Sequence, residues 1–260
     1  MIRQATFQRF AFLSILYAGC FLSYSCGLSN NKDLEISQLE AAARSHPDDA
    51  KVQGQLGYAY ERAGQYQQAV DTLTRAINLS PNDAKVYYTR GYAFGQLGRQ
   101  REAIDDCTKA IDLDPKNAAP YLVRGYGYQR LTQHEKAIKD FNSAILLSPR
   151  DPYAYFNRGY AYAQMGLSLR AINDFTEAIK LDPSDANTLT NRAYNYATLG
   201  QHQQVIDDCS KAIGIDPKLA QAYYLRAQAY DALGKKELAA PDRQKAQELG
   251  YKPSPATSKQ

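Results

Sequence analysis

The 260-residue chain contains no tryptophan, two methionines, three histidines and four cysteines. It has no G-x-x-x-x-G-K-[ST] phosphate loop, no G-x-S-x-G nucleophile elbow and no cysteine pair at metal-ligand spacing, which removes the commonest sequence routes to nucleotide, acyl-transfer and zinc chemistry. His134-Glu135 opens a zinc-protease pattern, but Ile138 stands where the second histidine is required. Charge of one sign is also lacking. Thirty-one basic and 27 acidic residues give +4, and setting aside Arg3 and Arg9 with the terminal segment leaves about +2, too weak a field to favour nucleic acid. With 44% hydrophobic and 22% charged residues, 16 Gly and 11 Pro, the composition excludes collagen and general disorder. Most of the chain must fold. The missing tryptophan stands beside 21 tyrosines, a bias that a periodic sequence would explain.

The N-terminus has the one long uncharged run. Arg3 and Arg9 precede an uncharged stretch from Phe10 to Asn31 whose apolar heart spans Phe10 to Leu22, the basic and hydrophobic regions of a secretory signal. Export is the expectation. Tyr17-Ala18-Gly19-Cys20 resembles the bacterial lipobox, with a second candidate at Ser23-Tyr24-Ser25-Cys26 before a polar tether over 27–32. A lipid-bearing Cys20 or Cys26, an ordinary cleaved signal and an uncleaved membrane anchor all remain open. Membrane attachment through this segment is expected in the first and third cases.

Beyond it, Pro47, Pro81, Pro115, Pro149, Pro183 and Pro217 are spaced 34 residues apart without a slip, an alignment that chance would give with probability on the order of 10⁻⁷. Gly57, Gly91, Gly125 and Gly159, followed by Ala193 and Ala227, keep the same step, as do Tyr60, Phe94, Tyr128, Tyr162, Tyr196 and Tyr230. Small residues recur where backbones approach closely, and aromatics where a gap must be filled. The apolar spacing within each unit is helical. A glycine near its middle, replaced by Thr132 in the third unit, separates two helices, and the proline ends the second.

These columns resemble the tetratricopeptide repeat, whose W-x₂-L-G-x₂-Y…A-x₃-F…P pattern fits six units at 50–83, 84–117, 118–151, 152–185, 186–219 and 220–253. Tyr87, Tyr121, Tyr155 and Tyr223 stand at the family's tryptophan position, with Gln53 and Leu189 in the other two units. The resemblance implies an all-α, right-handed superhelical solenoid. Residues 33–49 match half a unit and predict an N-terminal capping helix. The sixth unit decays: Arg243 replaces the phenylalanine, and Pro241 falls inside the second helix, predicting a kink or fraying. The tail 254–260 is expected to be disordered, leaving the C-terminal end a candidate docking surface.

Two sets of residues carry the functional reading. Arg90, Arg124, Arg158, Arg192 and Arg226 form one column and Asp106, Asp140, Asp174, Asp208 and Asp242 another, sixteen residues on. Both charges are missing together from the first unit, where Leu56 and Thr72 replace them, which predicts pairing within each hairpin. On the first helices, Tyr88, Tyr92, Tyr126, Tyr153, Phe156, Tyr160, Tyr194 and Tyr224 are offset from the core-facing positions and should line the concave face, the usual binding surface of such repeats. Tyr88, Leu122 and Phe156 stand where the family's chaperone-tail readers carry lysine, so that carboxylate clamp is absent.

The expected function is therefore a non-enzymatic scaffold for protein partners in the cell envelope. Its size and anchor resemble bacterial pilotins and outer-membrane assembly adaptors. No catalytic residue, metal, cofactor, nucleic acid or small-molecule substrate is expected. Alternatives are a soluble secreted or periplasmic adaptor, or an enzyme or regulator using His202 and Cys209, which lie seven apart on one helix as a base and nucleophile might. Against the latter, Cys107 and Cys209 occupy the column held by Phe141 and Phe175, a core position. They are three repeats apart, too far to bridge.

Overall fold

A computed structural model describes residues 27–252. The signal or anchor segment with Cys20 and Cys26, and the tail 254–260, lie outside the described residues. Among the described residues there are thirteen α-helices and no strand, and none of the helices is long and apolar enough to cross a membrane. The described chain divides into two compact bodies, 27–149 and 150–252.

The first body holds α1 (Gly27–Ser45) and three hairpins: α2 (Ala50–Arg62) with α3 (Tyr66–Leu79), α4 (Ala84–Gln96) with α5 (Gln100–Leu113), and α6 (Ala118–Arg130) with α7 (His134–Leu147). The second holds α8 (Pro152–Gln164) with α9 (Ser168–Leu181), α10 (Ala186–Thr198) with α11 (His202–Ile215), and α12 (Ala220–Ala232) with α13 (Lys236–Glu248). Within each body every helix packs on the next in the chain, and the first helices of successive hairpins also touch, α2 with α4, α4 with α6, α8 with α10 and α10 with α12.

Local chemistry sets these boundaries. Asp49, Asp83, Asn117, Asp151 and Asp185 cap the first helices, their side chains accepting from the backbone N–H two residues on and satisfying a donor that the first turn leaves unpaired. Between the helices of a hairpin the chain takes a left-handed step, at Gly64 with φ +75° for example, after which Gln65 N–H donates to Tyr60 O. This is the glycine-based helix stop that lets the chain reverse at once. Thr132 makes the same step at φ +59°.

The core is a stack of small and large layers. Ala69, Ala103, Ala137 and Ala171 are fully buried, and so are Leu73, Cys107, Phe141, Phe175 and Cys209 one turn along the second helices. The glycine column lies opposite: a Cβ at Gly125 would sit 2.7 Å from Phe141, and one at Gly159 would sit 3.1 Å from Phe175. Glycine therefore serves here to admit a ring.

Two expectations are corrected. Helix α1 begins at Gly27, so residues 27–32, expected as a tether, continue the capping helix, because adding turns to a helix already nucleated by packing at 33–45 is easy. The sixth hairpin is not broken: α13 runs through Pro241 from Lys236 to Glu248. The proline removes one N–H near the exposed start of the helix, while buried Ala239, Asp242 and Ala246 hold it on α12.

Candidate protein-docking faces

The arginine and aspartate columns meet. Arg90 Nε and Nη2 donate to the two oxygens of Asp106 at 2.7 and 2.8 Å, and the same fork joins Arg124 to Asp140, Arg158 to Asp174, Arg192 to Asp208 and Arg226 to Asp242. The sequence reading missed a third partner. Nη1 of Arg90, Arg124, Arg192 and Arg226 donates to a hydroxyl on the preceding hairpin, Thr74, Thr108, Thr176 and Ser210, at 3.0 to 3.1 Å. Each of these arginines thus ties its own hairpin shut and ties it to its neighbour. The 34-residue step of Thr74, Thr108, Thr176 and Ser210 was a legible signal. The ladder lies inside the fold, with the aspartate side chains 4 to 9% exposed, so its role is structural. Burial and the Asp140 hydrogen bond act oppositely on Arg124, and the carboxylate wins, holding the guanidinium further charged.

The aromatic residues of the first helices divide by depth. In the first body, burial pushes the phenol of half-buried Tyr88 up to about 12, with Cys107 and Glu61 adding to it. In the second body, Phe156 packs toward the second helix of its hairpin, its ring 5.8 Å from buried Phe175 and 6.5 Å from Tyr160. One turn on, Tyr92 and Tyr126 in the first body and Tyr160 in the second are half-buried as well, with the Tyr126 hydroxyl out of solvent, and Tyr194 is 40% exposed. Tyr92 stands edge to face with Tyr66 at 6.4 Å, and Tyr58 carries the Lys85 ammonium 4.3 Å from its ring centre. The C-terminal member, Tyr224, stacks on Tyr251 at 4.4 Å and receives a hydrogen bond from Gln228 Nε2. Tyr153 is half-buried near Asp182 and Asp185.

Each body therefore presents half-buried aromatics on adjoining first helices, which is the composition of a protein-docking surface: large apolar faces with polar tips. The cysteine weighed as a nucleophile sits in the core. Cys209 is a free, fully buried cysteine, and its thiol is pushed up to about 12 by burial and then by Asp208. Among the described residues, no three His, Cys, Asp or Glu side chains are placed to hold a metal.

Tetratricopeptide repeat profiles match residues 125–193, 84–117, 186–219 and 220–249, and a TPR repeat profile matches 57–98. The hairpins are tetratricopeptide repeats. Among solved structures, MamA is 25% identical with a TM-score of 0.60, over 64% of this chain and 91% of MamA. YrrB, a TPR protein with an unusual peptide-binding site, is 23% identical with a TM-score of 0.60, over 71% of this chain and 95% of its own. Pseudomonas aeruginosa pilF is 18% identical with a TM-score of 0.68, over 77% of this chain and 91% of its own. The last two likenesses carry the fold alone. No curated protein matches the sequence. TPR proteins are generally non-enzymatic scaffolds, and the fold implies protein partners.

Proposed function

We propose that this TPR protein is an adaptor of the cell envelope that binds a segment of a partner protein across the aromatic faces of its first helices. The observation that carries this reading is the column of Tyr92, Tyr126, Tyr160 and Tyr194, half-buried or exposed on helices that adjoin within each body. Small residues beside them, Ala163 and Ala197 among them, leave room for a partner's side chains. Export and attachment through residues 1–26 belong to the same proposal and rest on Arg3, Arg9 and the uncharged run from Phe10. An extended peptide site of the kind named for YrrB is consistent with this reading.

The test is a pull-down from membrane fractions of the native host with the full chain as bait, followed by affinity measurement with the captured partner. Tyr126→Ala and Tyr160→Ala should each cost about 2 kcal/mol or more in binding, the loss typical of a central aromatic anchor, while thermal unfolding moves less. A partner that binds the double variant as tightly as the parent would move the site to the C-terminal end around Pro241 and Arg243.

A further inference from the structure

The first hairpin departs from its successors at one interior position. In the second hairpin, Arg90 fills the space between three elements: it is bonded to Asp106 and Thr74, with the rings of Tyr87 and Phe94 5.8 and 5.7 Å from its guanidinium. Thirty-four residues earlier, the five corresponding positions hold Leu56 for the arginine, Thr72 for the aspartate, Glu40 for Thr74, Gln53 for Tyr87 and Tyr60 for Phe94. The cation is gone, yet acceptors and a ring remain. An open cleft of about 690 Å³ is lined by these same five residues, with Arg44, Asp71 and Arg75 also on its wall.

The cleft wall carries unused acceptor capacity. Gln53 is 2% exposed; its Nε2 donates to Pro47 O at 3.2 Å, while its Oε1 has no hydrogen-bond partner. A buried acceptor left unpaired costs about 1–3 kcal/mol, so a turn of the Gln53 amide that brought this oxygen, now out of solvent, to an entering donor would be rewarded. Glu40 accepts one bond, from the Tyr60 hydroxyl at 2.6 Å. Its other oxygen is 3.8 Å from Arg44, whose side chain is 72% exposed and so does not close the carboxylate off. Arg44 and Arg75 balance Glu40 and Asp71 in charge, so selection falls to the arrangement of acceptors rather than to bulk field. A planar fork of donors suits a carboxylate, an amide oxygen and a ring set around one space better than a single ammonium does.

We propose that this cleft binds a guanidinium group from outside the hairpin, an arginine side chain of a partner polypeptide, in the position that the protein's own arginines occupy in later repeats. It stands apart from the aromatic docking faces and does not depend on them.

The test uses the full chain and N-acetylarginine methylamide as probe, followed by calorimetry and NMR. We expect saturable binding on the order of millimolar Kd, as for other fragment-sized ligands, and at least tenfold weaker binding of N-acetyllysine methylamide. Glu40→Gln should weaken binding about tenfold. Leu56→Arg/Thr72→Asp installs the pair that the other five hairpins already fold with, so it should fold, fill the space from within and abolish binding. Tyr126→Ala should leave the probe's affinity unchanged. Absence of saturable binding, equal binding of the lysine probe, full binding by Leu56→Arg/Thr72→Asp, or loss through Tyr126→Ala would each overturn the proposal.

Discussion

Thr132 stands where the other five hairpins place glycine, and its φ of +59° is one that a β-branched side chain adopts at a cost. The left-handed conformation costs an L-residue about 1–2 kcal/mol, while glycine loses about 0.4–1 kcal/mol more chain entropy on folding. Thr132→Gly is therefore expected to stabilise the protein by up to about 1 kcal/mol, raising Tm by about 2–4 °C for a chain of this size; a melt that falls instead would show that the turn has other support. Cys107 and Cys209 illustrate the opposite limit, in which the environment silences a residue. Burial pushes both thiols up, Cys209 to about 12, so at pH 8 neither forms the reactive thiolate. Iodoacetamide labelling read by peptide mass spectrometry should leave both untouched in the folded chain and modify both in denaturant. Rapid labelling of native Cys209 would reopen the nucleophile reading.

Among the helices, the arginine fork decides which neighbours stay together. Arg124 reaches Asp140 on α7 and Thr108 on α5, with the two charged side chains 17 and 7% exposed. Removing one partner strands the other in a largely dry site. Asp140→Thr alone should cost about 3 kcal/mol, as for other buried pairs that lose one member. The double change Arg124→Leu/Asp140→Thr, which copies Leu56 and Thr72 of the first hairpin, should cost less than that single change, because no charge is left unpaired. Urea unfolding of the single and double variants measures the difference, and a strictly additive cycle would mean that the pair is solvated after all. The glycine column obeys the same logic of fit. Glycine faces Leu73, Cys107, Phe141 and Phe175, and a Cβ on it would meet each of them at 2.5 to 3.1 Å.

For the molecule as a whole, the repeat array supplies surfaces, and in the function we propose residues 1–26 supply the address. Expression in a lipoprotein-processing host tests that proposal. Cys20→Ser is expected to block fatty-acid labelling and leave a full-length precursor, while Cys26→Ser matures normally; the reverse result would assign Cys26. Normal maturation of both, without label, would leave a plain signal or an uncleaved anchor and remove the lipid from the account. Because each hairpin contacts mainly its neighbours, stability should divide among repeats, so these N-terminal changes should leave the unfolding of 50–252 unaltered.

The sequence by itself determined the repeat, the helix pair within it and the columns that face one another, since a 34-residue period repeats every local choice six times and a column can be read without coordinates. The pairing of Arg90 with Asp106 was legible because both charges vanish together in the first unit. Their third partner, Thr74, was not inferred, because a threonine hydroxyl has many uses and only the packing of α3 against α4 brings this one within 3.0 Å of the guanidinium. Tertiary structure also separated Phe156, whose ring packs on buried Phe175, from exposed Tyr194; on the sequence both are offset positions of a first helix, and only a packed neighbour distinguishes them. It alone showed that an open cleft borders Leu56, although Leu56 itself is buried in the core. The pattern names the missing residues, but whether their neighbours collapse into the space depends on how tightly the surrounding side chains are already held.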